Sequence, residues 1–246
     1  MSQRLARFID FGLAKVECSC DTGANILVIN HRTCLTERFT YRFWKRLLDL
    51  GGSLLGLILL APLLALIALA LKLSSSAPVL FKQRRVGQYG REFWIYKFTT
   101  MTASSVEASD TRWTISQDER VTRLGRILRS TGLDELPQLI NVLRGDMSLV
   151  GPRPERPHFV EIFRRDVPSY MKRHALKPGI TGWAQVCGWR GDTSIRKRVE
   201  HDLYYLRHWT FWFDLKILCL TIVGKPAGTR VDSPSPNQVK SASNSR

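Results

Sequence analysis

The longest apolar run in the chain lies between Leu50 and Leu71, and its 22 residues carry no charged side chain. At helical rise this run would span about 33 Å, close to the hydrocarbon thickness of a bilayer. A buried helix in a soluble core is the alternative, but such helices seldom run so long without a polar face. The pattern therefore predicts that this segment is held in a membrane.

Basic side chains stand on both sides of the apolar run: Lys45 and Arg46 before it, and Lys72, Lys82, Arg84 and Arg85 after it. Positive charge marks the cytoplasmic side of a membrane segment, so both flanks are predicted to face the cytoplasm. Pro62 removes a backbone donor and bends a helix. We predict a re-entrant helix over residues 41–73 that turns near Ala61 and Pro62. A single pass with Pro62 as a tolerated kink is the alternative.

The remaining pattern predicts a mostly helical α+β fold with one small β-hairpin. Val79 to Phe81 and Phe93 to Phe98 are β-rich runs joined through Gly87 and Gly90, which is typical of a hairpin. Periodic apolar positions predict a helix from Arg120, an amphipathic helix after Glu155 that ends at Pro168, and a helix from about Ser194 to Arg207. Residues 103–120 read as a polar loop.

The two ends of the chain differ from its middle. Residues 1–40 are predicted to be an extension with a short hairpin turning at Asp21 to Asn25. The spacing of Cys18, Cys20, His31 and Cys34 matches no common zinc pattern, which favours free thiols. The catalytic domain is predicted over 74–224. Near its end an apolar helix follows Trp209, Phe211, Trp212 and Phe213, for which docking at a membrane surface and core packing both remain open. Residues 225–246 are predicted to be disordered.

Charge narrows the class of partner. The 246 residues include 37 Lys and Arg against 21 Asp and Glu, a formal net charge of +16. Such a chain favours anionic partners: nucleic acid, an anionic membrane surface or phosphorylated small molecules. The five scattered cysteines fit a reducing, cytosolic setting.

Two adjacent acids, Asp134 and Glu135, stand out in this basic chain, within "STGLDELPQLINVLRGDMSLVGPRPE". Helix capping explains one of them, with Thr131 as N-cap and Asp134 at its third helical position. It leaves Glu135 unexplained, together with the polar Gln138 and the nearby Arg153. A second interpretation is that the two carboxylates hold Mg²⁺ beside a phosphate while one of them attacks phosphorus. Arginine suits such a site because its guanidinium donates two hydrogen bonds to phosphate oxygens.

Four ordered segments carry a family resemblance: "KRLLDL", "FKQRRVGQYGREFWIYKF", "RVTRLGRILRSTGLDELPQLINVLRGDMSLVGPRPE" and "KPGITGWAQVCGWRGDT…DLYYLRHW". Over about residues 41 to 223 the chain resembles the bacterial sugar transferases, the monotopic polyprenyl-phosphate phosphoglycosyl transferases. The resemblance implies transfer of hexose 1-phosphate from a UDP-sugar to undecaprenyl phosphate, with release of UMP, at the start of exopolysaccharide or capsule synthesis.

The resemblance also implies roles for particular residues. Asp134 matches the nucleophile, and Glu135 matches the neighbour that helps to place Mg²⁺. The substrate-binding set comprises the family's basic positions Lys97, Arg129 and Arg153, together with Gln138 and, as replacements for an expected arginine where Thr99 stands, Arg84, Arg85 or Arg91. Gly132 and Cys187 are further departures, standing where the family usually has serine and asparagine.

The implied partners are a UDP-hexose, undecaprenyl phosphate and membrane lipids, at the inner membrane with the catalytic domain on its cytoplasmic face. The last motif most resembles glucose 1-phosphate transferases, with galactose 1-phosphate as the second choice. Other polysaccharide-assembly enzymes or a second copy of the chain stay open as partners. Nucleic acid is not expected, because no nucleic-acid motif is present and such a role leaves Asp134 and Glu135 idle. The alternatives are an inactive scaffold of the same fold in a polysaccharide assembly complex and a membrane-tethered nucleic-acid-binding protein.

Overall fold

A computed structural model of the chain describes residues 35–74, 76–102 and 120–223. The predicted hairpin at Asp21 to Asn25, the cysteines before residue 35, most of the 103–120 loop and the tail lie outside the described residues.

Helix α1 spans Leu35–Ser74 and continues unbroken through Pro62. Its part from Arg42 to Ser74 is long and apolar enough to cross a membrane. Large apolar side chains on this part are more than half exposed, among them Leu54, Leu55, Ile58, Leu59 and Leu66. Such exposure suits contact with lipid and not with water. The choice between a re-entrant helix and a single pass stays a prediction.

The predicted β-hairpin is confirmed. Strand β1, Leu80–Val86, pairs antiparallel with β2, Glu92–Phe98, so that Leu80 faces Phe98 and Val86 faces Glu92. Strand β1 runs further than its apolar start suggested, because the polar residues after Phe81 continue the pairing, Gln83 with Ile95 and Arg85 with Phe93. Chain reversal uses positive φ angles at Tyr89 and Gly90.

Helix α2 spans Arg123–Thr131, a 3-10 turn follows at Leu133–Glu135, and α3 spans Gln138–Arg144. Helix α2 begins later than the predicted start at Arg120. The physical reason is that Val121 pairs with Met101 in an isolated bridge and Thr122 is the N-cap, its hydroxyl accepting the N–H of Gly125 at 2.9 Å.

The structure contains a second strand pair, parallel, that the sequence pattern did not predict. Strand β3, Ser148–Val150, lies beside β4, Gly179–Thr181. A Cβ on Gly151 would lie 2.3 Å from the Lys177 carbonyl oxygen, so the two backbones can approach only because Gly151 has no side chain. Between the two strands come α4, Pro157–Asp166, which ends before Pro168 as predicted, and the 3-10 segment Tyr170–Ala175.

The C-terminal helices complete the domain. The short α5 spans Trp183–Val186, α6 spans Ile195–Arg207 as predicted, and α7 spans Phe211–Val223. The aromatic residues before and within α7 differ in burial: some pack in the core, and one is exposed. Trp209 and Phe213 pack against a buried cluster that includes Ile217, whereas Trp212 is 77% exposed. The described fold is thus mostly helical with a small antiparallel hairpin, as predicted.

Polar side chains near the start of α1 fasten it to the domain. The Lys45 ammonium donates to Asp214 of α7 at 2.7 Å and to the Val150 carbonyl of β3 at 3.0 Å, and both charged side chains are buried. Arg46 donates to the carbonyls of Val142 and Leu143 at the end of α3.

One turn further along α1, Asp49 accepts from the Ser148 hydroxyl and the Leu149 N–H, each at 2.9 Å. The "KRLLDL" segment therefore joins the beginning of the membrane helix to β3, α3 and α7.

The far end of α1 contacts another part of the same domain. Ile67 and Leu71 form a buried cluster with Phe98 of β2 and Leu128 of α2. Both ends of the apolar helix thus contact one domain, and the carboxylate pair lies in the chain between α2 and α3, the helices that α1 contacts at its two ends.

We predict that Lys45→Met lowers the free energy of unfolding by about 3–5 kcal/mol, because it removes the ammonium that pairs with the buried Asp214 carboxylate at 2.7 Å. Denaturant titration in detergent micelles, followed by tryptophan fluorescence, measures the change. Lys216→Met is the matched control, since Lys216 lies exposed on the same helix as Asp214. Adding Asp214→Leu to Lys45→Met should restore most of the loss; equal effects of Lys45→Met and Lys216→Met would contradict the prediction.

Candidate active site

Asp134 and Glu135 lie in the 3-10 turn between α2 and α3, and Gly132 sets the direction of that turn. Gly132 has φ of 77°, a left-handed conformation that glycine adopts at low cost, which accounts for glycine at this departure from the family pattern. The prediction that Thr131 caps the following helix is wrong. Thr131 is the last residue of α2, and its hydroxyl donates back to the Ile127 carbonyl at 2.8 Å.

Glu135 has both carboxylate oxygens occupied. Its Oε1 accepts from the Lys97 ammonium at 2.7 Å and from Arg153, and its Oε2 accepts from Arg153 Nη1 at 3.0 Å. Burial alone would raise the pKa of Glu135, but the charges of Arg153 and Lys97 outweigh it and hold that pKa well below its usual range. The carboxylate therefore stays ionised and fixes two cations from β2 and from the Gly-Pro-Arg-Pro segment.

Asp134 lies beside this cluster, within range of the charges of Lys97 and Glu135. The side chain is buried, 8% exposed, and makes no hydrogen bond to any residue that the structure describes. Burial raises its pKa, the charge of Lys97 opposes that rise, and the charge of Glu135 adds to it. A carboxylate oxygen to which no described residue donates keeps its lone pairs available for attack on an electrophile.

Two further arginines lie within electrostatic range of the pair. Arg129, in the last turn of α2, donates through Nε to the Thr100 hydroxyl at 2.8 Å, and its charge lowers the pKa of Asp134. Arg190 was missed by the sequence reasoning. Burial lowers its pKa, Arg153 lowers it further and Glu135 raises it, which places Arg190 near both. The sequence signal that could have found it is a single arginine between the two glycines of "GWRGD", since glycines let a loop approach a site closely.

The structure separates the arginines proposed to replace the one expected at Thr99. Arg84 is exposed and pairs with Glu92 at 3.3 Å, away from the cluster. Arg85 is turned inward, donating to the Pro154 carbonyl and to Gln83, and burial lowers its pKa to about 10. Arg85 thus supports the Gly-Pro-Arg-Pro segment, and Thr99 donates its hydroxyl to the Pro78 carbonyl.

A second group of buried ion pairs holds the backbone around Arg153. Arg173 donates to the Arg153 carbonyl at 2.9 Å and pairs with Asp202 at 2.6 Å. Glu155 accepts from Arg198 at 2.6 Å. Since these side chains are almost fully buried and paired, they fix the backbone of the loop that carries Arg153.

Gln138 lies at the first position of α3, one helical turn beyond Asp134. Its side chain is 1% exposed, and neither amide atom has a hydrogen-bond partner among the residues that the structure describes. A buried, unsatisfied amide is rare and calls for a partner such as water or a ligand. This feature supports the assignment of Gln138 to the substrate-binding set.

The residues near Asp134 fit a Mg²⁺ ion that is bound by few protein ligands. Among the described residues, no group of three or more His, Cys, Asp or Glu side chains is placed to hold a metal ion. Mg²⁺ commonly binds through one or two carboxylates, water and substrate phosphates, so a single open carboxylate suffices. Asp134 offers that carboxylate, whereas the oxygens of Glu135 already bind Lys97 and Arg153. That Asp134 and Glu135 together place Mg²⁺ stays a prediction, with Asp134 as the carboxylate to which no described residue donates a hydrogen bond.

Comparison with known proteins places the chain in a family. A family model described as bacterial sugar transferase matches residues 40–225, and the chain belongs to that family. It is 49% identical over 185 residues to the UDP-glucose:undecaprenyl-phosphate glucose-1-phosphate transferase of Escherichia coli (strain K12), covering 74% of this chain and 40% of that protein.

Two other relatives extend the comparison. The UDP-N-acetylgalactosamine-undecaprenyl-phosphate N-acetylgalactosaminephosphotransferase of Aeromonas hydrophila is 45% identical over 184 residues, covering 74% of this chain and 43% of that protein. The exopolysaccharide production protein PSS of Rhizobium leguminosarum bv. phaseoli is 43% identical over 188 residues, covering 74% of this chain and 94% of that protein. The chain therefore spans less than half of the first two relatives and most of the third.

We predict that Glu135→Gln lowers the free energy of unfolding at pH 7 by at least about 1 kcal/mol, because Lys97 and Arg153 lose their shared anion. The pKa of Glu135 is depressed in the folded state, so its stabilising contribution is present above the ordinary value of 4.5 and is lost as pH falls below it. The difference between wild type and variant should therefore shrink on acidification below pH 4.5.

Denaturant titrations at several pH values measure this difference. Glu200→Gln is the control, because Glu200 is exposed and its one ion pair with a described residue is to an exposed lysine on α6. It should change stability by less than about 0.5 kcal/mol at every pH. A pH-independent difference for Glu135→Gln would count against the depressed pKa.

Proposed function

We propose that the chain transfers a hexose 1-phosphate from a UDP-sugar to undecaprenyl phosphate through a covalent intermediate on Asp134. The observation that carries the proposal is the contrast within the pair: Glu135 has both oxygens bound to cations, while the Asp134 carboxylate makes no hydrogen bond to a described residue. The names of the relatives from Escherichia coli and Aeromonas hydrophila, both UDP-sugar and undecaprenyl-phosphate enzymes, support the substrate class.

In the first step an Asp134 oxygen attacks the phosphorus that bears the sugar. A new O–P bond forms, the bond from that phosphorus to the bridging oxygen breaks, and UMP leaves with the electron pair. Lys97 and Arg153, held by Glu135, and the nearby Arg129 and Arg190 offset the charge that develops on the diphosphate. A bound Mg²⁺ would supply further neutralisation of phosphate charge.

In the second step an oxygen of undecaprenyl phosphate attacks the same phosphorus. The acyl phosphate bond to Asp134 breaks, the free carboxylate returns, and the product is undecaprenyl diphosphate sugar. Because the two substrates react in separate steps on one residue, the kinetics should be ping-pong. Glucose is the proposed sugar, in accord with the name of the Escherichia coli relative, and the lipid-linked product would start an exopolysaccharide repeat unit, in accord with the name of the Rhizobium relative.

We predict that Asp134→Asn lowers turnover by at least about 10³-fold and abolishes the intermediate, because the amide cannot attack phosphorus. Membranes containing the protein are incubated with UDP-hexoses labelled in the sugar, undecaprenyl phosphate and Mg²⁺, and label in lipid and UMP release are measured. Mass spectrometry without the lipid acceptor should find the added sugar phosphate on Asp134.

Glu92→Gln serves as the matched control, because Glu92 is exposed and pairs with Arg84 outside the cluster. Equal product from wild type and Asp134→Asn would refute nucleophilic attack by Asp134. A wild-type protein that forms neither intermediate nor product with any of several UDP-hexoses would favour the inactive scaffold.

The proposal includes a re-entrant α1, with the domain on the cytoplasmic face of the inner membrane. Its support comes from contacts at the two ends of the helix: Lys45 reaches β3 and α7, and Leu71 packs with Phe98 and Leu128. A straight pass would put the residues near Lys45 and those near Leu71 on opposite sides of a bilayer, where one domain cannot contact both.

Cysteine labelling of a cysteine-free variant in right-side-out and inverted vesicles tests this topology. Cysteines introduced at Phe43 and at Leu73, both exposed, should react with a membrane-impermeant maleimide only in inverted vesicles. Reaction of the two positions from opposite sides would show a single pass.

A further inference from the structure

A cavity of about 280 Å³ lies between the last turn of α1 and the first turn of α2. Apolar side chains from four parts of the chain line it: Leu71, Ala77, Met101 and Leu124. Its volume is near the lower limit for sites that hold small ligands or part of a larger one. None of these four residues has a part in the proposed chemistry at Asp134.

The hydroxyl groups in the wall of the cavity are already bonded within the protein. Ser74 donates to the Ala70 carbonyl, Thr99 donates to the Pro78 carbonyl, and Thr122 accepts from the Gly125 N–H. The surface offered to a ligand is therefore largely hydrocarbon. The exception is Arg123, an exposed cation in the first turn of α2.

The cavity adjoins the cation cluster around Asp134. Thr99 in its wall is two residues beyond Lys97, and the next residue, Thr100, accepts from Arg129. Along α2, Leu124 in the cavity and Arg129 beside Asp134 are separated by about 7.5 Å of helical rise. A molecule with a phosphate at Arg129 and an apolar chain behind it would lay that chain along α2 into the cavity.

The two proposed substrates differ in how well they suit this space. A UDP-sugar is polar throughout its length and would lose hydration without compensation in an apolar cavity. A polyprenyl phosphate carries hydrocarbon directly after its phosphate. Leu71 in the cavity wall also belongs to the apolar helix α1, so the rest of a long chain could pass from the cavity along that helix.

We propose that this cavity binds the phosphate-proximal isoprene units of the acceptor lipid, with Arg123 in the cavity wall and Arg129 outside it, bonded to Thr100 next to the lining Thr99. The inference rests on the proposed function and assigns the second half-reaction its own site. It separates a polar donor side, formed by Lys97, Arg153 and Arg190, from an apolar acceptor side.

Cavity-filling variants test the assignment. Ala77→Phe and Leu124→Trp should still form the sugar-phosphate intermediate from UDP-glucose without lipid. They should raise the KM for undecaprenyl phosphate by about 10-fold or more, since filling the cavity removes space that the prenyl chain needs. Ile127→Trp is the matched control, because Ile127 lies on α2, is 60% exposed and does not line the cavity.

Prenyl phosphates of increasing length refine the test. With wild type, kcat/KM should rise as the first isoprene units are added, and the filling variants should flatten that rise. Normal intermediate formation with an unchanged KM and an unchanged length dependence would overturn the cavity assignment and leave the proposed function intact. Absence of the intermediate in wild type would instead overturn the proposed function.

A measurement on wild type covers the case in which a filling variant does not fold. A short prenyl phosphate carrying a diazirine on its second isoprene unit should label peptides that contain Leu71, Met101 or Leu124, and excess undecaprenyl phosphate should prevent labelling. Labelling confined to other peptides would overturn the proposal. So would labelling that phosphatidylglycerol vesicles prevent as well as undecaprenyl phosphate does, because the occupant would then be a phospholipid chain.

Discussion

The architecture depends on a buried ion pair between the membrane helix and the domain. Lys45 and Asp214 lie 2.7 Å apart, and both are withdrawn from water. Separating them would break a buried ion pair, at a cost of several kcal/mol, so the beginning of α1 cannot leave β3 and α7 easily. The far end of α1 is held differently, by apolar packing against Phe98 and Leu128. Polar fixation at one end and apolar fixation at the other suit a helix that begins near water and continues into lipid.

Within the site, adjacent acids acquire opposite properties from their partners. Glu135 receives Lys97 and Arg153, and its pKa falls; Asp134 is buried without a hydrogen bond to a described residue, and its pKa rises. Pairs of titratable groups whose pKa values are pushed apart commonly divide the chemical roles between them. Glu135 is suited to positioning cations because its oxygens are engaged. Asp134 is suited to forming a bond because its oxygens are not.

The sequence predicted those elements whose pattern lies within one short stretch of the chain, and it missed those that depend on contacts between distant stretches. The hairpin, α4 and α6 follow from periodicity and from Pro168 or Ser194 at their ends, so they could be predicted. Strands β3 and β4 are three residues each and lie far apart in sequence, and only their packing together defines them. The family resemblance placed Lys97, Arg129 and Arg153 with the acid pair, as the structure does. Strand alternation could have separated Arg84 from Arg85, since neighbours in a strand point to opposite faces. The partners of Glu135 depend on contacts between β2 and the loop after β3, which no local pattern contains.

The opposite character of the two proposed substrates gives a physical reason for the cation cluster at Glu135 and the two contacts of α1 with the domain to occur together. A nucleotide sugar comes from water and brings a diphosphate, which is best met by fixed cations on the domain side of Asp134. A polyprenyl phosphate comes from the bilayer and cannot leave it far, so Asp134 must lie within reach of lipid. The contacts at the two ends of α1 keep Asp134 close to the apolar helix and so to lipid. Glu135 prepares the site for the diphosphate by holding Lys97 and Arg153 in place before either substrate arrives. A single carboxylate can then serve both half-reactions without a large movement of the chain.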